Sequence, residues 1–244
     1  MNIRHPAIRY HGGKFRLAAR IISHFPVHRC YVEPFGGAAS VLLKKDPSEA
    51  EVYNDLDGDV VNLFRVLRDP TTSQALITAC ALTPYSREEF ILAYQHSDDP
   101  TERARRLVVR ATMGFGSAGA TKGKTGFRLD TKRNCATAQR IWARYPDNLA
   151  AVASRFAGGV DVGKNRTYRF EMSGEEHMQL LSELKTLQGA VIVCGYNSEL
   201  YNDSLPGWLR VTHTTAANGR AGSVQRTECL WIKPVAQQKQ ENAA

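Results

Sequence analysis

Two short stretches near the N-terminus carry residue types that could bind a ligand containing a ribose. The apolar run Cys30 to Phe35 ends in Gly36-Gly37, and a second short stretch, Glu51 to Tyr53, is followed by Asn54-Asp55. A glycine turn lets the backbone approach a ligand closely, and a carboxylate after the next strand can accept hydrogen bonds from ribose hydroxyls. An ordinary tight turn is the alternative interpretation of the two glycines, and the neighbouring elements must decide between the two.

These residues need a strand, a turn and a helix to hold them in place. Cys30 to Phe35 is predicted as a strand, Ala38 to Lys45 as a helix, Glu51 to Tyr53 as a second strand and Val60 to Arg68 as a second helix. Such alternation of strands and helices predicts an α/β fold with a parallel sheet, in which ligands bind at the carboxyl ends of the strands.

The pattern becomes helical from about residue 70 to residue 157, which we interpret as an inserted domain. Helices are predicted over Arg87 to Tyr94, Thr101 to Thr112, Ala136 to Trp142 and Asn148 to Phe156. A glycine-rich interval, Gly114 to Gly126, lies between them. It is either a hairpin or loop that reaches into a groove, or a flexible surface loop without a function.

The α/β pattern returns after Gly158-Gly159. Ser173 to Glu176 resembles a capping box before a helix over His177 to Leu187, and Ala190 to Cys194 is predicted as a strand. Trp208 to Thr215 and Arg226 to Ile232 are predicted as an antiparallel pair. The predicted organisation is a first domain in two parts, 1–69 and 158–234, around the insertion 70–157, with a polar tail over 235–244.

Positive charge is concentrated in the insertion. The whole chain has a net charge of +8, yet the segment from Arg103 to Arg144 has eleven basic residues and one acidic residue, Asp130. This excess is typical of a module that faces a polyanion, although a solvated basic helix face would give the same pattern.

Three motifs in a fixed order make the interpretation specific. They are Arg9 to Lys14 (Arg-Tyr-His-Gly-Gly-Lys), Glu33 to Val41 (Glu-Pro-Phe-Gly-Gly-Ala-Ala-Ser-Val) and Asn54-Asp55. In this order the sequence resembles the Dam-type (D12 class) DNA adenine methyltransferases, and the resemblance covers nearly the whole chain. It extends to the basic insertion, to Tyr168–Met172, to Gly195–Tyr201 and to Arg226–Trp231.

The resemblance implies a Rossmann-like sheet that binds S-adenosylmethionine, with an inserted, mainly helical target-recognition domain that binds double-stranded DNA. Tyr10 would lie against the cofactor, Lys14 would bind near its methionine end, and Asp55 would hold the ribose. A core aromatic at Tyr10 and a surface lysine at Lys14 remain the alternatives. The cofactor-binding residues implied are Tyr10, Lys14, Glu33, Pro34, Phe35, Gly37 and Asp55. The DNA-binding residues implied are Arg110, Lys122, Lys124, Arg128, Lys132 and Arg133.

The sequence departs from the family in two places. Ala39 replaces the second glycine of the turn, which should be tolerated if its φ is negative. The family also carries Asp, Asn or Ser followed by Pro-Pro and an aromatic residue, which accepts hydrogen bonds from the target amino group and stacks on the flipped base. No such tetrapeptide occurs here. We interpret this as the loss of a strand and its loop near Val160-Asp161, so no catalytic residue is identifiable.

Two functions therefore stay open. One is transfer of a methyl group from S-adenosylmethionine to the 6-amino group of adenine in duplex DNA. The other is a catalytically inactive relative that binds DNA, with or without the cofactor, and has lost the catalytic strand and loop. An RNA or protein methyltransferase fits less well, because the resemblance reaches into the DNA-recognising insertion.

Composition limits the kinds of bound metal, disulfide and cellular location that we expect. Five singly spaced cysteines argue against a disulfide framework, and seven scattered histidines lack the spacing of metal ligands. No stretch approaches the roughly 20 apolar residues of a membrane span. We expect a monomer without a metal, located in the cytoplasm and encoded by a bacterium or a phage.

Overall fold

The computed structural model describes residue 3 and residues 5–116, 118–120, 123–129, 138–162, 172–219 and 222–234. The chain divides into two compact units, Met1–Phe170 and Glu171–Ala244. The elements of the first unit are α1 (Ala18–Ile22), β1 (Cys30–Glu33), β2 (Ala50–Tyr53), α2 (Gly58–Arg68), α3 (Pro70–Leu82), α4 (Arg87–Leu92), α5 (Pro100–Met113), a 3-10 turn (Ala118–Ala120), α6 (Ala138–Ala143), α7 (Tyr145–Phe156) and β3 (Val160–Val162).

The sheet of the first unit is parallel, as the sequence predicts. Its strand order is β1-β2-β3, and both strand pairs run parallel. Val32 pairs with Val52, which in turn pairs with Asp161. The carboxyl ends of β1 and β2 therefore lie side by side, and the residues that follow them are brought together at one edge of the sheet.

Helices pack on this sheet through one hydrophobic core. The Tyr53 ring lies 4.6 Å from the Phe64 ring of α2, and Phe64 stacks on Phe156 of α7 at 4.6 Å. The same core includes Leu107 of α5 and Leu76 of α3. The helices of residues 70–157 thus share their core with β2 and α2, and the boundaries of the inserted domain stay a prediction.

Two features of the first unit refine the predicted elements. The helix predicted over Ala38 to Lys45 is a series of turns, because Ala39 has a φ of 50° and the Leu42 amide donates to the Glu33 carboxylate. The glycine-rich interval is closed at its ends like a hairpin: the Phe115 amide donates to the carbonyl of Gly126 at 2.8 Å.

The second unit contains its own sheet. Its elements are α8 (Gly174–Thr186), β4 (Ile192–Tyr196), α9 (Glu199–Ser204), β5 (Leu209–Gly219) and β6 (Gly222–Ile232). The strand order is β4-β6-β5, and both pairs are antiparallel. The predicted capping box is confirmed, because Ser173 Oγ accepts from the Glu176 amide and Glu176 Oε2 accepts from the Ser173 amide. The predicted polar tail, 235–244, lies outside the described residues.

Candidate functional site

The glycine turn directly follows β1 and is tied to the end of β2. The Asn54 amide donates to the Glu33 carbonyl at 2.8 Å, and the Gly36 amide donates to the Asn54 carbonyl at 2.9 Å. A Cβ on Gly36 would lie 2.3 Å from Cε2 of Tyr53. A Cβ on Gly37 would lie 2.9 Å from Cε1 of Tyr10, and Gly37 has a φ of 50°. Both positions therefore require glycine, which an ordinary surface turn would not.

Ala39 corrects one expectation from the sequence. Its φ is 50°, so the negative φ that would make a methyl group harmless is not adopted. An L-residue in this left-handed region costs about 1–2 kcal/mol. Ala39 is fully buried, and its amide donates to the Gly36 carbonyl at 2.8 Å, so the surrounding turn holds it in this conformation.

Asp55 is held directly against the glycine turn. Its Oδ2 accepts from the Gly37 amide at 2.8 Å, and its Oδ1 accepts from the Asp57 amide at 2.8 Å. Burial raises the pKa of Asp55, while the hydrogen bonds from the backbone amides act in the opposite direction. An ionised carboxylate has about four acceptor sites, so these two bonds leave capacity for a hydroxyl group.

Tyr10 and Lys14 lie on the segment that precedes α1. The Gly13 amide donates to the Tyr10 carbonyl at 3.2 Å, which forms a turn between the two residues. The Tyr10 ring packs on the core beside Gly37. Burial, together with the charges of Asp55 and Asp57, raises the pKa of Tyr10, so its phenol stays protonated at neutral pH. Lys14 is half-buried.

Glu33 points into the protein rather than towards the exposed side of the turn. Its Oε1 accepts from the Tyr31 hydroxyl at 2.7 Å and from the Leu42 amide at 2.9 Å, whereas its buried Oε2 has no hydrogen-bond partner. Burial raises the pKa of Glu33 to about 7. The next two residues, Pro34 and Phe35, are exposed. The structure therefore places Glu33 as a support of the turn, with Pro34 and Phe35 on its surface.

The arginines of α5 are mostly used inside the protein. Arg110 Nη2 lies 3.0 Å from Asp59 Oδ2, and its Nη1 donates to the carbonyl of Ala93 at 2.8 Å. The Arg110 side chain is only 7% exposed. Arg103 also pairs with Asp59, at 2.7 Å, and Arg105 pairs with Glu102 at 2.6 Å. A phosphate could reach Arg110 only by displacing these partners, so the geometry favours a structural role for this residue.

The other predicted DNA-binding residues differ in their surroundings. Lys124 is exposed in the glycine-rich interval. Arg128 is half-buried, and its backbone closes the interval, because its amide donates to Met113 and its carbonyl accepts from the Tyr85 hydroxyl. Lys122, Lys132 and Arg133 lie outside the described residues.

The sequence predicts the loss of the catalytic tetrapeptide near Val160 and Asp161, and both residues lie in β3. Val160 and Val162 are buried, while the Asp161 side chain is 75% exposed and lies 3.6 Å from Arg68. β3 is followed by residues 163–171, which the structure does not describe. The described residues contain no group of three His, Cys, Asp or Glu side chains that could hold a metal ion. They also contain no helix long and apolar enough to cross a membrane.

One cluster around the turn was not predicted. Arg155 of α7 donates to the Leu42 carbonyl at 3.1 Å and pairs with Glu51 at 2.6 Å, and Glu51 also pairs with Lys45 at 2.6 Å. Arg155 is separated from Leu42 by 113 positions. A single sequence gives no signal for such a long-range contact.

Comparison with known proteins agrees with the resemblance. Residues 10–129 match the family model of the D12 class N6 adenine-specific DNA methyltransferases. The chain is 34% identical over 117 residues to a DNA adenine methylase of Escherichia coli K12, which covers 44% of this chain and 40% of that protein. The corresponding enzyme of Serratia marcescens is 31% identical over 104 residues, covering 42% of this chain and 38% of the relative. A DNA adenine methylase of Vibrio cholerae is 30% identical over 129 residues, which cover 50% of this chain and 46% of the relative.

The matched regions span less than half the length of these relatives. The family-model match over residues 10–129 includes Tyr10, Lys14, the glycine turn, Asp55 and the first part of the basic segment that begins at Arg103. Residues 10–129 thus belong to the Dam-type family of D12 class N6 adenine-specific DNA methyltransferases.

Proposed function

We propose that this chain is a site-specific DNA methyltransferase that transfers a methyl group from S-adenosylmethionine to the 6-amino group of adenine in duplex DNA. The carrying observation is the direct contact of Gly37 with Asp55, against the ring of Tyr10. Family membership supports the reaction, and relatives named DNA adenine methylase support the substrate.

The residues present fit the cofactor. Gly36 and Gly37 let the turn pack directly against the rings of Tyr53 and Tyr10, and Asp55 retains acceptor capacity for ribose hydroxyls. The carboxylates of Asp55 and Asp57 lie close to Tyr10, so their negative charge suits a sulfonium cation. Bound S-adenosylmethionine supplies an electrophilic methyl group, and Tyr10, Lys14, Gly37 and Asp55 would hold it, with Pro34 and Phe35 on the rim.

The remaining parts of the proposal concern DNA. The parallel sheet would belong to a Rossmann-like fold, and residues 70–157 would recognise the target sequence, with the adenine flipped towards the cofactor. Lys124 and Arg128 are the described candidates for phosphate contacts, together with Lys122, Lys132 and Arg133. We propose that the protein acts as a monomer in the cytoplasm, where bacterial and phage DNA is found.

Cofactor binding is tested first. Isothermal titration calorimetry with S-adenosylhomocysteine, the product of methyl transfer, should give a defined Kd for the native protein. Asp55→Asn should raise that Kd about 10- to 100-fold, because hydrogen bonds to a charged group contribute about 1.5–3 kcal/mol. The matched control is Asp161→Asn, an exposed carboxylate on β3, which should leave the Kd unchanged. Absence of binding by folded native protein would refute the proposed cofactor site.

Turnover is tested second, because the sequence lacks the Pro-Pro tetrapeptide. The protein is incubated with S-adenosylmethionine labelled on its methyl group and with duplex DNA, and label in N6-methyladenine is measured after digestion. Incorporation confirms the proposed reaction. Binding of cofactor and DNA without incorporation would instead identify a catalytically inactive relative.

A further inference from the structure

The peptide group of Leu42 lies between the side chains of Glu33 and Arg155. Its N–H donates to Glu33 Oε1 at 2.9 Å, and its carbonyl accepts from Arg155 Nη2 at 3.1 Å. Glu33 is the last residue of β1, and the turn that contains Gly36 and Gly37 runs from Glu33 to Leu42. Glu33 therefore closes this turn on itself, and Arg155 fixes the closed turn to α7.

Arg155 is itself held firmly. Its Nη1 lies 2.6 Å from Glu51 Oε2, and its Nη2 donates to Glu51 Oε1 at 2.8 Å, a bidentate pair. Lys45 Nζ also lies 2.6 Å from Glu51 Oε1, and the side chains of Lys45 and Glu51 are 3% and 4% exposed. Burial alone would raise the pKa of Glu51, but hydrogen bonds from Arg155 and Lys45 lower it to about 2. The carboxylate is therefore ionised at neutral pH and orients the guanidinium towards Leu42.

The same helix also holds the segment that carries Tyr10. The Tyr145 hydroxyl donates to the Ala7 carbonyl, and Asn148 Nδ2 donates to the Pro6 carbonyl at 3.1 Å. α7 thus contacts two of the chain segments from which the proposed cofactor site is built, the glycine turn and the segment of Tyr10. None of these contacts requires a residue of α7 to touch the ligand.

We propose that Arg155 and Asn148 are positioning residues of the cofactor site, and that α7 fixes the distance between the glycine turn and the segment of Tyr10. This inference rests on the proposed function. Weakening either contact lets one of the two segments shift. Cofactor affinity then falls, although every residue that faces the cofactor is unchanged.

The main test is Arg155→Lys, which keeps the charge and can pair with Glu51 but lacks the planar fork that reaches Leu42 at the same time. The matched control is Arg144→Lys, the same change at an exposed position beside α7. The Kd for S-adenosylhomocysteine should rise about tenfold in Arg155→Lys and stay unchanged in Arg144→Lys. Asn148→Ala, which removes the contact with Pro6, should also raise it severalfold.

Hydrogen exchange followed by mass spectrometry gives a readout that general destabilisation would not produce. In Arg155→Lys the amides of the turn up to Leu42 should exchange faster, while those of α2 keep their native rates. The double variant Arg155→Lys with Glu33→Gln should raise the Kd by less than the product of the two factors measured for the single variants. This is expected because both residues bind the Leu42 peptide group.

The outcomes separate the two proposals. If the native protein does not bind S-adenosylhomocysteine, the proposed function fails. If the native protein binds it and both Arg155→Lys and Asn148→Ala bind it equally well, the positioning role is overturned. If Arg155→Lys does not fold, Asn148→Ala decides alone: a raised Kd supports the role of α7, and a native Kd refutes it.

Discussion

Replacing Gly36 with alanine tests the close packing of the turn on β2. The new Cβ would lie 2.3 Å from Cε2 and 2.7 Å from Cδ2 of Tyr53, whereas ordinary contacts begin near 3.4 Å. About 1 Å of movement is therefore needed. The Tyr53 ring cannot supply it easily, because it is fully buried, lies 4.6 Å from Phe64, and its hydroxyl donates to the Gly37 carbonyl at 2.6 Å.

Overpacking of this kind costs about 1–3 kcal/mol. We expect Gly36→Ala to lower the free energy of unfolding by about 2 kcal/mol, measured by urea denaturation. A turn that shifts to relieve the clash should also bind S-adenosylhomocysteine more weakly, by about tenfold. The matched control is Gly126→Ala, since a Cβ on Gly126 would meet nothing within 4 Å. Native stability together with native affinity in Gly36→Ala would refute the packing argument.

Three further predictions concern charge and backbone strain. Burial raises the pKa of Glu33 to about 7, so the neutral acid stabilises the fold below about pH 4 and this stabilisation is lost as the pH rises through 7. The free energy of unfolding should fall by up to about 3 kcal/mol across that range. A Glu33→Gln variant whose free energy of unfolding falls equally with pH would contradict this. Ala39→Gly should raise the free energy of unfolding by up to about 1 kcal/mol, because glycine adopts a φ of 50° without strain, although it also gives the unfolded chain more conformational entropy. Thermal denaturation measures this change, and a loss of stability would argue against strain at Ala39. Lys124→Gln should reduce the slope of log K for DNA against log salt by about 1. Arg110→Gln should leave that slope unchanged and lower the free energy of unfolding by about 1–3 kcal/mol. The reverse pattern would show that Arg110 is a DNA contact.

The local sequence predicts most of the elements around the glycine turn. β1, β2 and α2 were predicted because their apolar residues follow strand and helix spacing, and the capping box at Ser173 was visible in four residues. α3 was not predicted, although Asp69 and Pro70 provide a helix start signal. Its small and polar residues give little amphipathic pattern, and only Ser73, Leu76 and Cys80 are buried.

Charge was harder to interpret than apolar spacing. The basic residues between Arg103 and Arg144 outnumber the acidic ones in that segment, but Asp59, the partner of Arg103 and Arg110, belongs to α2. Counting charges along the chain misses partners that folding brings from elsewhere. Lys124 is exposed and fits the expected role better than Arg110 does. The helix predicted over Ala38 to Lys45 is wrong for a related reason, because the Leu42 amide donates to the carboxylate of Glu33, which lies outside that segment.

The contact between Leu42 and Arg155 also has a consequence for protein synthesis. The two residues are 113 positions apart, and ribosomes add about 5–20 residues per second, so roughly 6–23 s separate their synthesis. During that interval the glycine turn has left the ribosome without its anchor, and β2 lacks its partner β3. The nascent chain thus exposes an unpaired strand edge beside unpacked apolar side chains, a state that chaperones recognise. Ligand binding by this unit should begin only after α7 has been synthesised.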